Sequence, residues 1–426
     1  MFDFFRRLKE CFPHRDENSC GIFFVSAALA LSFAFAILTL WVPRYWPVSV
    51  FETSIFLLAA FVLVLGRHEM RAPGFPFYVF AVAVVWGIFQ SASGTTVYEF
   101  ATERSLLRWT AFFAVYVIGR YLFQDREAMR QFREGMVWFG AALAIEAMIQ
   151  SYASPGDIFG VFSSGYGNNP SIMGPILYHT HYAAFVETIL PIAVYGALTD
   201  ERKHYAYAVA SAALYASVIV SASRGGFVLT SAEIVTVLTM FYARRRVRRR
   251  RDRSSVLRLA AVAVLFLLIV GWGALSQRLA EADPMAGRRE LAISSLHMIA
   301  ARPLFGFGLG TWSTVYPRYA VIDFGNVFVN QAHSDWLQWA AEGGLPFVFA
   351  MACLFVWLIR PAFRSIWGIG VIAVFLHACV DYPFSRPAVG AWPILVIAML
   401  TAREFDPKRP LRSAAPLAEA QLWSIG

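Results

Sequence analysis

Long apolar runs separated by short charged turns dominate the chain from residue 21 to residue 402. About twenty consecutive apolar residues suffice for a helix to cross the hydrocarbon core of a bilayer. Runs near that length fall at about 21–42, 47–66, 75–91, 106–123, 132–150, 178–198, 204–222, 226–243, 257–274, 335–358, 366–382 and 388–402. The strict two-residue alternation of a membrane-spanning barrel strand is missing. A helix satisfies its own backbone hydrogen bonds, so this pattern predicts an all-α, polytopic membrane protein with about twelve spans. We read residues 1–426 as a single membrane domain, without an internal repeat or a sizeable soluble domain.

Composition strengthens this reading. Apolar residues make up 58% of the chain and charged residues 15%, against about 25% charge in a soluble domain. The net charge of +9 matters less than its placement. Arg244, Arg245, Arg246, Arg248, Arg249, Arg250, Arg251 and Arg253 form one dense run between two spans. Such a run holds its loop in the cytoplasm, and we expect contact with anionic lipid there rather than with nucleic acid. RHEMR, DREAMRQFRE, TDERKH, Arg360 and Arg364 fall on the same side in this count. Both termini are then cytoplasmic, with a basic tail at 403–426. The irregular stretch 151–177 and the long segment 275–334, between the ninth and tenth spans, lie outside. The polar start of the chain argues for a first run retained as a helix rather than a cleaved signal. Cys11, Cys20, Cys353 and Cys379 form no paired motif, and Cys353 and Cys379 are expected in the core.

The count gathers unusual polar groups on the outer face: His179, His181, Arg224, Arg288, Arg289, His333, His377 and Asp381. Ionisable groups near a bilayer are costly unless they face protein or water, so their convergence predicts a site. Arg224 sits in SASRGG, where glycines permit close backbone approach. Its guanidinium suits phosphate, although an interfacial arginine is the plainer alternative. Arg288 and Arg289 have Glu290 beside them as a structural partner. Gly306, Gly308 and Gly310 follow no predicted strand, so they read as a tight turn with close helix packing rather than a nucleotide loop. His333 precedes Ser334 and Asp335, either of which suits a helix cap. His333 can act as a base near neutral pH, or simply pack. His181 and His179 point different ways on a helix and make a poor metal pair. We expect neither metal nor cofactor. His377 and Asp381, four apart, share a helix face, where they could orient one another or simply form a buried structural hydrogen bond.

Three stretches, SASRGG, GRRELAISSLHMIAARPLFGFGLGTW and NQAHSDWLQWAAEGGL, stand in an order that resembles the O-antigen ligase-like family, which includes surface-polysaccharide polymerases. YHTHYAAFVETILPIAV is similar to that family's central helix, and HACVDYPFSRPA to a late motif of its polysaccharide-assembly branches. The resemblance implies a metal-independent glycosyltransferase of the bacterial inner membrane. It would transfer glycan from an undecaprenyl-diphosphate donor to a sugar hydroxyl of a glycan or lipid A-core acceptor at the periplasmic face. By that resemblance Arg224 and Arg288 hold the donor diphosphate and His333 is the catalytic base, with inversion at the anomeric carbon. Arg289, His181, Glu187, His377 and Asp381 are secondary candidates. Trp312, Tyr316 and Trp336 are candidates for stacking on sugars, or for an interfacial belt. The late motif leads us to expect a polymerase-like activity ahead of ligation to lipid A-core. A transporter or flippase is the other class that fits buried charge in many helices.

Overall fold

The computed structural model describes residues 17–65, 73–167, 169, 171–244, 264, 273–281, 285, 287–323, 325 and 328–404. Most of the arginine run, the expected ninth span at 257–274 apart from residues 264, 273 and 274, and the tail beyond 404 lie outside the described residues. Helices α1 (Glu17–Leu38), α2 (Trp46–Leu65), α3 (Phe75–Ala92), α4 (Glu99–Leu122) and α5 (Arg126–Ala153) come first. A small antiparallel hairpin, β1 (Asp157–Ile158) and β2 (Phe162–Ser163), interrupts the otherwise irregular stretch that follows. Helices α6 (His179–Thr199), α7 (His204–Val220) and α8 (Arg224–Arg244) complete the first part. The remainder holds α9 (Gly273–Leu279), α10 (Arg288–Ala301), α11 (Trp312–Tyr319), α12 (Asp335–Arg364), α13 (Gly370–His377) and α14 (Pro387–Glu404).

Among the described residues, seven helices are long and apolar enough to cross a membrane: α1, α2, α3, α5, α6, α8 and α12. The chain is a polytopic, all-α membrane protein. By this measure the expected count of about twelve is not reached. Helices α4, α7, α13 and α14 coincide with four further expected spans. The stretches containing α7, α13 and α14 are apolar but short, and α4 opens on a charged turn, EFATERSLLR.

Helix α6 is the axis of the bundle. It packs on α5, α7, α8, α13 and α14, and it is buried along almost its whole length. One apolar core runs from Val25 to Ala402; a second, smaller one joins Leu291, Met298, Phe307, Trp312, Val315 and Tyr316 in the segment before α12. The amphipathic reading of ELAISSLHMIAA has a physical outlet here: α10 buries Leu291, Ser294, Ser295 and Met298 and packs on α11 and α12.

The charged ends of several helices meet at one end of the bundle. Lys203 Nζ lies 2.8 Å from Glu134, Arg133 covers the Trp367 ring at 4.6 Å, and the Arg244 guanidinium donates to the carbonyls of Phe363 and Arg364. Cys353 and Cys379, expected in the core, are not there: Cys353 is half-buried and Cys379 is exposed in the turn after α13.

Helix α12 is two helices joined at a break. Gly344 has φ 75° and ψ 177°, and Pro346 lacks the N–H that would close the next turn. The glycine-rich turn docks into this break. Gly306, Gly308 and Gly310 all have positive φ, and a Cβ on Gly306 would lie 2.3 Å from the Glu342 carbonyl oxygen. The expected tight turn with close helix packing is therefore realised against α12. Gly310 N and Trp312 N donate to the two Glu342 carboxylate oxygens at 2.8 and 3.1 Å, and Gln338 Nε2 adds a third bond at 3.0 Å. Gln90 of α3 bridges the junction, donating to the Phe305 and Glu342 carbonyls and accepting from Leu309 N. Glu342 is thus a structural anchor that fixes where the following loop enters the bundle.

Candidate active site

The loop leaving that junction carries His333, whose position is over-determined on both sides. Ala332 N donates to Gln338 Oε1 at 3.2 Å. Ser334 caps α12 by accepting from Leu337 N at 3.3 Å. Asp335 does not cap: it accepts from Phe384 N at 2.8 Å and Ser385 Oγ at 3.0 Å, so it ties the start of α12 to the turn before α14. Between these clamps His333 has φ 52°, a left-handed backbone uncommon outside glycine. Strained residues persist where surrounding contacts hold them, and they cluster at functional sites.

His333 faces a cavity of about 590 Å³, also lined by Tyr178, His179, His181, Arg224, Arg278, Glu281, Arg288, Tyr382 and Arg386. Arg224 comes from the first residue of α8 and Arg288 from the first residue of α10. Separate parts of the sequence thus deliver both arginines and the histidine to one chamber. Its described lining has four arginines and one glutamate, Glu281. Arg224 donates to Glu281 Oε2 and to the Arg278 carbonyl, each at 3.0 Å. Arg288 lies 3.7 Å from Asp381 Oδ2. Both guanidinium side chains stay about a quarter exposed, at 26% and 27%. The glycines after Arg224 explain how α8 gets so close: a Cβ on Gly226 would lie 2.3 Å from the Ala183 Cβ on α6.

Burial lowers the pKa of His333; Asp381 opposes that shift and Arg288 adds to it. The ring therefore favours its neutral, proton-accepting form at pH 7. Its Nδ1 is buried with no hydrogen-bond partner. Tyr382 meets it edge-on at 5.0 Å and Tyr178 lies at 6.2 Å. His181 packs on the same Tyr382 ring at 4.6 Å, with its Nε2 3.8 Å from Asp381 Oδ1.

The pairing expected between His377 and Asp381 does not occur through their side chains. Helix α13 ends at His377, and the turn separates the two. His377 Nδ1 instead shares a 2.7 Å hydrogen bond with Glu187 Oε1, and His377 lines a smaller adjoining chamber of about 230 Å³ with His179, Arg224 and Arg288. Asp381 takes the place beside His181 and Arg288. Arg289 is exposed and is not part of the described lining. The three candidate stacking rings also lie elsewhere. Trp312 is fully buried, donates from Nε1 to Ser295 Oγ at 3.0 Å and stacks on Tyr316 at 4.6 Å. Trp336 donates to the Phe375 carbonyl and packs among Trp339, Phe355 and Phe375. Aromatic character alone does not separate a core ring from a sugar platform.

The sequence reading missed Tyr178, Tyr382, Arg278, Glu281 and Arg386. Tyr178 stands inside YHTHYAAF, and Tyr382 and Arg386 inside HACVDYPFSRPA, so their motifs carried a usable signal. Arg278 and Glu281 follow the ninth apolar run in plain polar sequence and carried none. Among the described residues, no cluster of three or more His, Cys, Asp and Glu side chains is set to hold a metal ion.

No curated protein matches the chain. Residues 208–350 match the O-antigen ligase family. That stretch begins within α7 and contains Arg224, Arg288, the glycine turn, His333 and the first half of α12. The chain carries an O-antigen ligase-type domain, and with it a role in surface-polysaccharide assembly.

Proposed function

We propose that the chain is a membrane-embedded glycosyltransferase that moves glycan from an undecaprenyl-diphosphate carrier to an acceptor sugar hydroxyl. The observation that carries this reading is the single chamber bearing Arg224, Arg288 and His333. Arg224 and Arg288 bind the diphosphate and neutralise the charge that grows on it as the glycosidic bond breaks. His333 accepts the proton of the attacking hydroxyl. The acceptor oxygen bonds to the anomeric carbon, lipid diphosphate leaves from the opposite side, and the configuration inverts. Asp381 positions Arg288, and Tyr178 and Tyr382 flank the histidine. In this reading the chain forms one membrane domain of about twelve spans in the inner membrane, with both termini cytoplasmic. Residues 275–334 are then periplasmic and the tail at 403–426 cytoplasmic.

The family match favours ligation to lipid A-core over the polymerase-like activity expected from the late motif. Reconstitution of the full chain with a defined lipid-linked glycan, with and without lipid A-core, tests the choice. Glycan attached to lipid A-core is the expected product. Longer lipid-linked chains without that acceptor mark a polymerase. Movement across the vesicle membrane with no new glycosidic bond marks a transporter and removes the proposal.

A further inference from the structure

A second cavity of about 640 Å³ opens beside the first. It lies between the α1–α2 loop, the start of α4 and the turn before α14, and it shares Leu40, Asn330 and Arg386 with the first as a common wall. Its described lining has Arg44, Arg104, Arg108 and Arg386 against one carboxylate, Glu52. Arg104 and Arg108 interact electrostatically with Glu52. Arg104 lies over the Tyr45 ring at 5.0 Å. Arg108 donates to the Ser385 carbonyl and to Ser105 Oγ, and its Nε is buried without a hydrogen-bond partner. Arg108 also interacts with the buried carboxyls of Glu342 and Asp335, so the excess positive charge of the lining rests on Arg44, Arg104 and Arg386. The lining also carries exposed aromatic residues: Tyr45 is 76% exposed and Phe100 56%. Exposed aromatic rings beside clustered arginines suit a ligand with an anionic headgroup and a lipid tail.

We propose that this second cavity binds the phosphorylated glycolipid that accepts the transferred glycan. Resting on the transferase reading, it gives that acceptor its own arginine cluster, separate from Arg224 and Arg288. Phosphate held by Arg44, Arg104 and Arg108 places the attached sugars at the Asn330–Arg386 wall, beyond which lies His333. A hydroxyl reaching through attacks the donor's anomeric carbon, gives its proton to His333 and displaces lipid diphosphate. The shared wall accounts for two anionic lipids working at one reaction centre without sharing a phosphate site.

The test uses the full-length protein in nanodiscs, comparing wild type with the double variant Arg44→Gln, Arg104→Gln. Both substitutions keep long polar side chains, and intact folding is checked by thermal melting. Acceptor probes are lipid A-core with its phosphates, the same glycolipid after dephosphorylation, and an undecaprenyl-diphosphate repeat unit. Retention of each by native mass spectrometry is measured together with donor and acceptor KM. Acceptor KM for a phosphorylated probe rises about tenfold in the double variant, donor KM stays within twofold, and the difference disappears with the dephosphorylated probe. The two phosphorylated probes identify which glycolipid is held. Unchanged acceptor KM, or an equal rise in donor KM, overturns the proposal. If wild type forms no glycosidic bond, the transferase reading falls. Retention then decides the cavity separately: equal retention of phosphorylated glycolipid by both proteins rejects it, and selective loss in the variant upholds it as a binding site.

Discussion

Two buried polar networks lie at the ends of the same segment, and they differ in how completely they are satisfied. At the glycine turn, both Glu342 carboxylate oxygens accept hydrogen bonds, and Gln90 closes the remaining gap. Around His333 the opposite holds: His333 Nδ1, His181 Nε2 and Asp381 Oδ2 are buried without hydrogen-bond partners. Buried polar groups in folded proteins are nearly always paired. A saturated network fixes a shape. An unsaturated one, lined by partly exposed arginines, keeps bonding capacity for a substrate. Glu342 and His333 are only nine residues apart, yet the first anchors the fold and the second faces the cavity.

The sharpest way to break this comparison is at His333. His333→Ala lowers turnover by about 10²–10⁴-fold, the usual contribution of a positioned base, while the melting temperature in detergent barely moves. Arg288→Ala and Arg224→Ala each lower kcat by about 10²–10³-fold, as removal of a charge-stabilising donor does, again with a near-normal melt. Glu342→Ala reverses the pattern. It strands the Gly310 and Trp312 N–H groups at about 1–3 kcal/mol each, so it lowers the melting temperature and the yield of folded protein first, and activity only in proportion.

A subtler effect is expected in the pH profile. Burial pulls the His333 pKa below its usual 6.5, so the base stays neutral at pH 7, and kcat/KM falls only as pH drops below that value. Arg288 depresses this pKa further and Asp381 raises it. Asp381→Asn therefore moves the acidic limb to still lower pH, and Arg288→Gln moves what activity remains in the other direction. Smallest of all, Arg289→Ala changes turnover less than twofold, because that residue lies outside the described lining.

Much of this arrangement was legible in the residue order. Among the described residues, apolar run length located the helices of the bundle but not α9, α10 or α11, because helix formation in lipid depends on local hydropathy. Arg224, Arg288 and His333 stood out as polar groups where apolar ones were expected, and they do share a chamber. Partner choice was not legible. Glu187 binds His377, while Asp381 lies beside His181 and Arg288. Both pairings depend on how α6 meets the end of α13, a tertiary fact with no local spacing. The placement of Trp312, Tyr316 and Trp336 away from the His333 chamber was illegible for a related reason: a ring suits a core and a sugar equally well until its neighbours are known. The break in α12 was readable only in part. Gly344 and Pro346 mark it, but the glycine turn that fills it lies more than thirty residues earlier in the chain.

The most direct measurement is an experimental structure of the full chain in a nanodisc with a bound undecaprenyl-diphosphate glycan. The account predicts diphosphate oxygens within hydrogen-bond distance of Arg224 and Arg288, with the anomeric carbon turned toward His333. A diphosphate bound away from both arginines, or an anomeric carbon facing away from His333, would contradict it.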